Sequence, residues 1–425
     1  MRVWLVQPSE QLPLVANARR LRTRLLAEEL TRRGHEVTWW ASCFNHLRKE
    51  WYCPTSMRIQ AEPCPRVQLL KGIGYSRNVS LRRWVDHRML SRAFSASAAH
   101  EPPPDVVVAC LPPYDLAAAA VKFAKRCGAR AIVDIRDTWP DNFLGVLPRC
   151  LRGIGRIGLT SEFALRNTAL AGADGLVAVT GPWLDWGLAA AGRARGPLDR
   201  VMYLGAYREP PGSVPNSIRT LVRERIANRF VVAFVGTFST YHNPSTMIEA
   251  ARLLQDRPDI IFVLMGSGDL DRQLRRQAAG LPNVEFAGWV DSPSIAEVLR
   301  NAHIGLCTAE SDLATDLLPN KAFAYLSEGV PVGSAFMGEL AQLIERHGFG
   351  FTFKTPEDLV SHIARLSADH HAHSKMSSAA TSFFSRFGDS LKIYSEFADL
   401  IEVTAGGGQS AVSKVVPVGR VTLGV

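Results

Sequence analysis

Lys321 sits where a lone cation is disfavoured. Pro319 suits the opening of a helix, and Gly329 followed by Pro331 stops that helix and begins a strand. Lys321 therefore falls in the first helical turn, beside the positive end of the helix dipole. An anion bound at the helix end would remove the penalty, so Pro319-Asn320-Lys321 reads as a phosphate-binding element; the alternative is a lysine reaching into water. Asp316, three residues before Pro319, can accept hydrogen bonds from hydroxyl groups. Two glycine turns, Val235-Gly236-Thr237-Phe238 and Met265-Gly266-Ser267-Gly268, each follow an apolar run. Glycine lets backbone approach a ligand, and the N–H groups of such turns can hold phosphate oxygens. Tight strand-to-helix turns without a ligand are the competing reading. In the first half, Arg136, Asp137 and Asp141 follow an apolar run ending in Asp134 and Ile135. Charged groups at a strand end suit acid–base work or hydroxyl recognition, although an ion pair between Arg136 and an aspartate would be purely structural.

Three further motifs point less far. Gly153, Gly155 and Gly158 match GxGxxG but lack a preceding strand, so a helix entry is expected there rather than a dinucleotide loop. Asp269 and Asp271 match a metal-binding DxD pattern, yet they open a helix, where carboxylates are favoured anyway. His370, His371 and His373 read as a solvated cluster on a surface helix.

The elements that must position these residues alternate between short apolar runs and amphipathic stretches, which predicts parallel sheets crossed by helices. Strands are expected at Arg2–Val6, Glu36–Ala41, Asp105–Leu111, Arg130–Ile135, Gly175–Thr180 and Val201–Leu204. In the second half they are expected at Phe230–Val235, Ile260–Met265, Val284–Phe286, Ile304–Cys307 and Pro331–Ala335. Helices are expected over Asn17–Arg33 and Leu81–Phe94, while 44–104 is otherwise poor in pattern and broken by prolines. The fold class is α/β: two doubly wound, Rossmann-like domains facing across a cleft, with ligands outside the carboxyl ends of the strands. The expected divisions are a first domain over 1–205, a linker over 206–226 and a second domain over 227–382. A C-terminal helix over 383–404 follows, then a tail over 405–425 without periodicity.

Composition narrows the function classes. The 425 residues are 47% hydrophobic and 21% charged, so large cores can form, and no apolar run is long enough to span a bilayer. The N-terminus is broken by Pro8 too early for a signal peptide, and seven cysteines without a CxxC pair suit a reducing cytosol. The formal charge of +9 is concentrated at the front, where residues 1–99 hold 17 Lys and Arg against 7 Asp and Glu. Eight of the nine tryptophans precede residue 190. A basic, aromatic first domain suits an anionic membrane face or a phosphorylated lipid; a solvated basic face over buried tryptophans is the alternative. No nucleic-acid-binding signature is present.

Taken together, these residues resemble the GT-B glycosyltransferases of family 4, in particular the bacterial surface-polysaccharide branch. The resemblance rests on the Arg33-Gly34-His35-Glu36-Val37 helix end, the Arg136–Asp141 stretch, the two glycine turns, Phe286-Ala287-Gly288-Trp289 and the Pro319–Pro331 segment. It implies a metal-independent retaining enzyme, without a cofactor, that moves a sugar from a nucleoside diphosphate to a saccharide acceptor. That acceptor would be free or carried on a lipid diphosphate, in polysaccharide or lipopolysaccharide biosynthesis. Location would be cytoplasmic, peripheral on the inner face of the plasma membrane, with no nucleic-acid partner. It further implies that Gly236, Thr237, Gly266, Ser267, Gly268, Trp289, Val290, Asp316, Asn320 and Lys321 bind the donor, UDP slightly favoured over GDP. Asp137 and Arg136 would face the acceptor, and Asp316 would position the sugar. Family members usually carry a second acid for the ribose where this chain has Ala324, and an arginine and a lysine for the diphosphate where it has Thr237 and Asn243. A non-catalytic relative or a UDP-sugar 2-epimerase are the alternatives.

Overall fold

The computed structural model describes residues 1–14, 20–61, 64–78, 80–309 and 318–406. The chain forms two units, one of Met1–Tyr203 joined by the segment from Leu391 onward, the other of Leu204–Ser390. The α/β class with two Rossmann-like units holds, each unit built on a mostly parallel sheet.

In the first unit the strands are β1 (Arg2–Val6), β2 (Glu36–Ser42), β3 (Phe44–Asn45), β4 (Glu50–Trp51), β5 (Met57–Ala61), β6 (Cys64–Leu70), β7 (Val106–Leu111), β8 (Arg130–Ile135), β9 (Gly175–Ala178) and β10 (Arg200–Val201). Eight of them form one sheet in the order β10-β9-β8-β7-β1-β2-β6-β5, parallel except for the β5–β6 pair; β3 and β4 make a separate hairpin. The central strands are apolar at nearly every position because both faces are covered. On one face Trp4 and Trp40 pack with Phe94 and Phe123, on helices Leu81–Ala98 and Tyr114–Arg126. On the other, Val37 and Trp39 meet Leu26 and Leu30 of helix Arg22–Arg32, together with Phe397 and Ile401 of the last helix, Ser390–Gly406. The tryptophans of β1 and β2 are thus core.

The second unit continues with β11 (Phe230–Val235), β12 (Ile260–Met265), β13 (Val284–Gly288), β14 (Ile304–Cys307), β15 (Val332–Ser334) and β16 (Gly350–Thr352). They form one parallel sheet in the order β13-β12-β11-β14-β15-β16. Segment 206–226, read from the sequence as a linker, falls within this unit. It contains helix Asn216–Thr220 and the helical turn Leu221–Ile226, anchored by buried Ile218 and Ile226.

Several sequence expectations need adjustment. The pattern-poor stretch holds β5 and β6, whose alternation the prolines disguise. Helix Arg22–Arg32 starts later than expected; the buried Glu10 carboxylate accepts the Thr23 and Arg24 N–H groups there, in place of a capping side chain at Leu21. His373 is not solvated with its neighbours: its Nε2 lies 2.9 Å from the His303 carbonyl oxygen and its ring packs on His303 and Phe230. The GxGxxG glycines lie along helix Arg152–Gly158, and Asp271 opens helix Asp271–Gln277 and pairs with Arg275.

Candidate functional site

In the second unit the chain order reverses between β11 and β14. From β11 the sheet grows one way to β12 and β13, and the other way to β14, β15 and β16. A crevice outside the carboxyl ends of those two strands is where doubly wound sheets bind ligands. Gly236 follows β11 there and Thr308 follows β14.

Helix Asn320–Ser327 brings Lys321 to this point through Tyr325, one turn on. The Tyr325 hydroxyl accepts from Val235 N–H at 3.0 Å and donates to the Leu306 carbonyl at 3.0 Å, stitching the helix to the ends of β11 and β14. Its ring fills the space that only a glycine at 305 leaves open. Lys321 shares that helix face and puts its Nζ 3.8 Å from the Phe234 ring centre, 3.1 Å from where a Cβ at Gly236 would stand. This Nζ is buried and has no hydrogen-bond partner, and among the described residues it makes no ion pair. Burial pushes its pKa down to about 8.

Two other buried polar atoms without partners accompany it, His242 Nδ1 and Thr308 Oγ1. Burial, with the Lys321 charge adding to it, pushes His242 down to about 4, so the ring is neutral at physiological pH. Burial likewise raises the Cys307 thiol to about 12, so it offers the ammonium no counter-charge. Buried polar atoms left unpaired cost roughly 1–3 kcal/mol each, more when charged. An ammonium and a hydroxyl at a switch point, beside an imidazole whose other nitrogen is bonded to the Thr308 backbone, suit a phosphate that carries hydroxyl groups.

The remaining donor-site residues divide. Thr237, Ser267, Asn320 and Trp289 are exposed and Val290 is half-buried. Gly236 N–H is bonded to Met265 O, so this glycine contributes space for Lys321 rather than a free amide. Gly266 and Gly268 are required by the turns themselves: a Cβ on Gly266 would lie 1.9 Å from Gly236 O, and one on Gly268 2.4 Å from Phe238 O. Asn243, one residue before the Pro244 N-cap of helix Ser245–Leu253, closes a turn onto it, accepting from Ser245 N–H at 3.0 Å and Ser245 O–H at 2.7 Å. Asp316 lies outside the described residues. Thr308 is not singled out from the sequence; the apolar run Ile304–Cys307 ending at a hydroxyl is the available signal.

In the first unit, Arg136 is committed to the protein. Its Nε donates to Asp134 at 2.8 Å, and its two terminal nitrogens to Glu10 and Thr23, each at 2.8 Å. Arg22 makes a fork onto the same Asp134, with contacts of 2.9 to 3.2 Å, and donates to the carbonyls of Met202 and Tyr203. Burial alone would raise Asp134, but the two arginines outweigh it and hold the carboxyl below its usual range. Arg136 thus makes the structural ion pair that the sequence left as the alternative reading. Asp137, the next residue, is half-buried and points elsewhere. Its Oδ1 accepts from Thr138 N–H at 2.8 Å and from Asn142 Nδ2, while burial raises its pKa.

A two-unit α/β chain with this switch-point site has the fold of the GT-B glycosyltransferases. Residues 229–369 match the family described as glycosyl transferases group 1. The resemblance read from the sequence thus holds. A relative in Escherichia coli (strain K12), named as the colanic acid biosynthesis glycosyl transferase WcaI, is 23% identical over 354 residues, covering 75% of this chain and 80% of its own length. Among solved structures, Anabaena Alr3699/HepE in complex with UDP aligns with a TM-score of 0.67 at 16% identity, covering 95% of this chain and 100% of that one. Sucrose-phosphate synthase from Thermosynechococcus elongatus aligns with a TM-score of 0.72 at 14% identity, covering 96% and 100%. No helix among the described residues is long and apolar enough to cross a membrane.

Proposed function

We propose that the chain is a retaining glycosyltransferase that transfers a sugar from a UDP-sugar to a saccharide acceptor carried on a lipid diphosphate. The setting would be surface-polysaccharide assembly on the inner face of the plasma membrane. The observation that carries this reading is the gathering of unpartnered Lys321 Nζ, His242 Nδ1 and Thr308 Oγ1 at the β11/β14 switch point. The UDP complex of the Anabaena neighbour and the polysaccharide role in the Escherichia coli relative's name support the donor and the setting.

As the glycosidic bond to the diphosphate breaks, negative charge grows on the leaving phosphate while the sugar takes on oxocarbenium character. Lys321 supplies the fixed positive charge in this scheme, so the reading requires no metal. Thr308 donates a hydrogen bond to the phosphate, His242 Nδ1 accepts one from a hydroxyl of the donor, and Asp316 orients the sugar hydroxyls. Asp137 acts toward the acceptor, and Arg136 is its positioning residue, anchoring the loop through Asp134 and Glu10.

Calorimetric titration with UDP and GDP tests the donor assignment. UDP binding that Lys321→Ala lowers by at least tenfold is expected; unchanged affinity would remove the phosphate role. Two observations favour a second reading, a non-catalytic binding subunit: the Asn243 side chain is tied to Ser245, and Ala324 offers no acid. UDP-sugar bound but never consumed with any lipid-linked acceptor would support that reading, whereas consumption without an acceptor would point to an epimerase.

A further inference from the structure

The first unit contains a cavity of about 560 Å³, in the size range of small-molecule sites. Its wall is mostly aromatic and aliphatic, with Trp84, Tyr114, Trp139, Phe143 and Leu159, and Leu81 at the rim. Of its polar groups, Glu162 is already satisfied. It accepts from Trp84 Nε1 at 3.1 Å, Arg88 at 2.9 Å and the Ser161 hydroxyl at 2.8 Å. His87 is buried beside Arg83 and neutral, its pKa pushed down to about 3 by burial and by that arginine.

Arg83 is the exception. Its guanidinium lies 4.5 Å over the Trp139 ring, and one terminal nitrogen donates to the Asn78 carbonyl at 2.9 Å. Its Nε is buried without a partner, and among the described residues it forms no ion pair. An apolar chamber thus holds a guanidinium that Tyr75, Asp86 and Asp137 steady from a distance but that no carboxylate pairs directly among the described residues. The rim continues the apolar character. Leu81, Val85 and Met89, at helical spacing on Leu81–Ala98, are 84%, 40% and 37% exposed. Ile154 and Ile157 are 69% and 77% exposed on the helix ending at Gly158, which lines the same cavity. Exposed Arg82, Arg92 and Arg152 are interleaved with them. A free sugar would use little of this surface, whereas hydrocarbon with one anionic group would use all of it.

We propose that this cavity binds a long-chain lipid phosphate, its phosphate on Arg83 and its hydrocarbon on the aromatic wall and the Leu81–Met89 rim. This rests on the glycosyltransferase reading insofar as that lipid would carry the acceptor sugar, near Asp137, whose charge Arg83 feels.

Calorimetry on the full chain tests it with three probes below their micelle concentrations: dodecyl phosphate, dodecyltrimethylammonium and inorganic phosphate. Dodecyl phosphate is expected to bind at least tenfold more tightly than either of the others. Arg83→Gln should remove most of that advantage and Arg83→Lys should restore part of it, with unchanged thermal unfolding showing that both variants fold. Leu159→Asn should weaken dodecyl phosphate and dodecyltrimethylammonium alike. Equal binding of the two dodecyl probes, or no effect of Arg83→Gln, would overturn the assignment of the phosphate. Inorganic phosphate binding as tightly as dodecyl phosphate would overturn the lipid. UDP titrated in parallel separates the two readings. UDP binding without dodecyl phosphate binding sinks only this inference, and the reverse sinks only the donor site.

Discussion

Buried with only the face of Phe234 to attract it and no carboxylate beside it among the described residues, the Lys321 ammonium is destabilising until an anion arrives. Lys321→Met should therefore raise the stability of the nucleotide-free protein, by about 1–3 kcal/mol, while abolishing UDP binding. Thermal unfolding with and without UDP checks both halves. The same group sets a pH dependence. Below about 8 the amine is charged in the folded and the unfolded chain, and the folded chain bears the whole burial penalty. Between about 8 and the ordinary 10.5 the unfolded chain keeps the proton that the folded chain has released, so unfolding free energy should rise with pH across that window. UDP affinity should do the opposite and fall as pH passes about 8. Titrations in buffers of different ionisation enthalpy should register proton uptake on binding near that pH.

Elements are locked by contacts far apart in sequence. Arg22 on its helix and Asp134 on β8 form a buried fork, both side chains 2% exposed. Arg136 still pairs with Asp134 when Arg22 is removed, so Arg22→Met loses a charge-assisted fork rather than stranding a charge and should cost about 1.5–3 kcal/mol of stability while leaving UDP affinity unchanged. Denaturant unfolding beside a UDP titration would test this. In the second unit the two glycine turns interlock, and Gly266 adopts a φ of +153° with no room for a Cβ. Gly266→Ala should cost about 2–4 kcal/mol and weaken UDP binding, because the β11 turn that abuts Lys321 must shift. A variant with unaltered unfolding and UDP affinity would show that the turns pack more loosely than described.

The whole molecule combines two cores, and the first is completed by a segment from the far end of the chain. Ile393, Phe397 and Ile401 pack with Leu26, Leu30 and Trp39. Ending the chain at Ser390 should therefore expose that core, and the truncated protein is expected to bind the dye ANS strongly where the full chain does not. Nucleotide bound to the second unit should stabilise that unit by about 2.7 kcal/mol at a hundredfold excess over Kd. Calorimetric unfolding with UDP is expected to shift the transition that belongs to residues 204–390.

What the sequence determined by itself was local or periodic. Apolar runs bounded by glycine and proline located eleven of the fourteen strands of the two sheets, all but β5, β6 and the three-residue β16. The Pro319–Pro331 punctuation located the helix of Lys321, and the ordered motifs pointed to the GT-B class. Prolines hid β5 and β6, because the same residues mark edge strands and loops. Tertiary structure decided what depended on partners brought together from distant positions. It tied Arg136 to Glu10 and Asp134, used Tyr325 to hold its helix across β11 and β14, and assembled Lys321, His242 and Thr308 with Nζ, Nδ1 and Oγ1 unpartnered. Periodicity reports which face of an element is buried. Whether a buried charge is matched depends on strand order, which sets its neighbours and which no local pattern encodes.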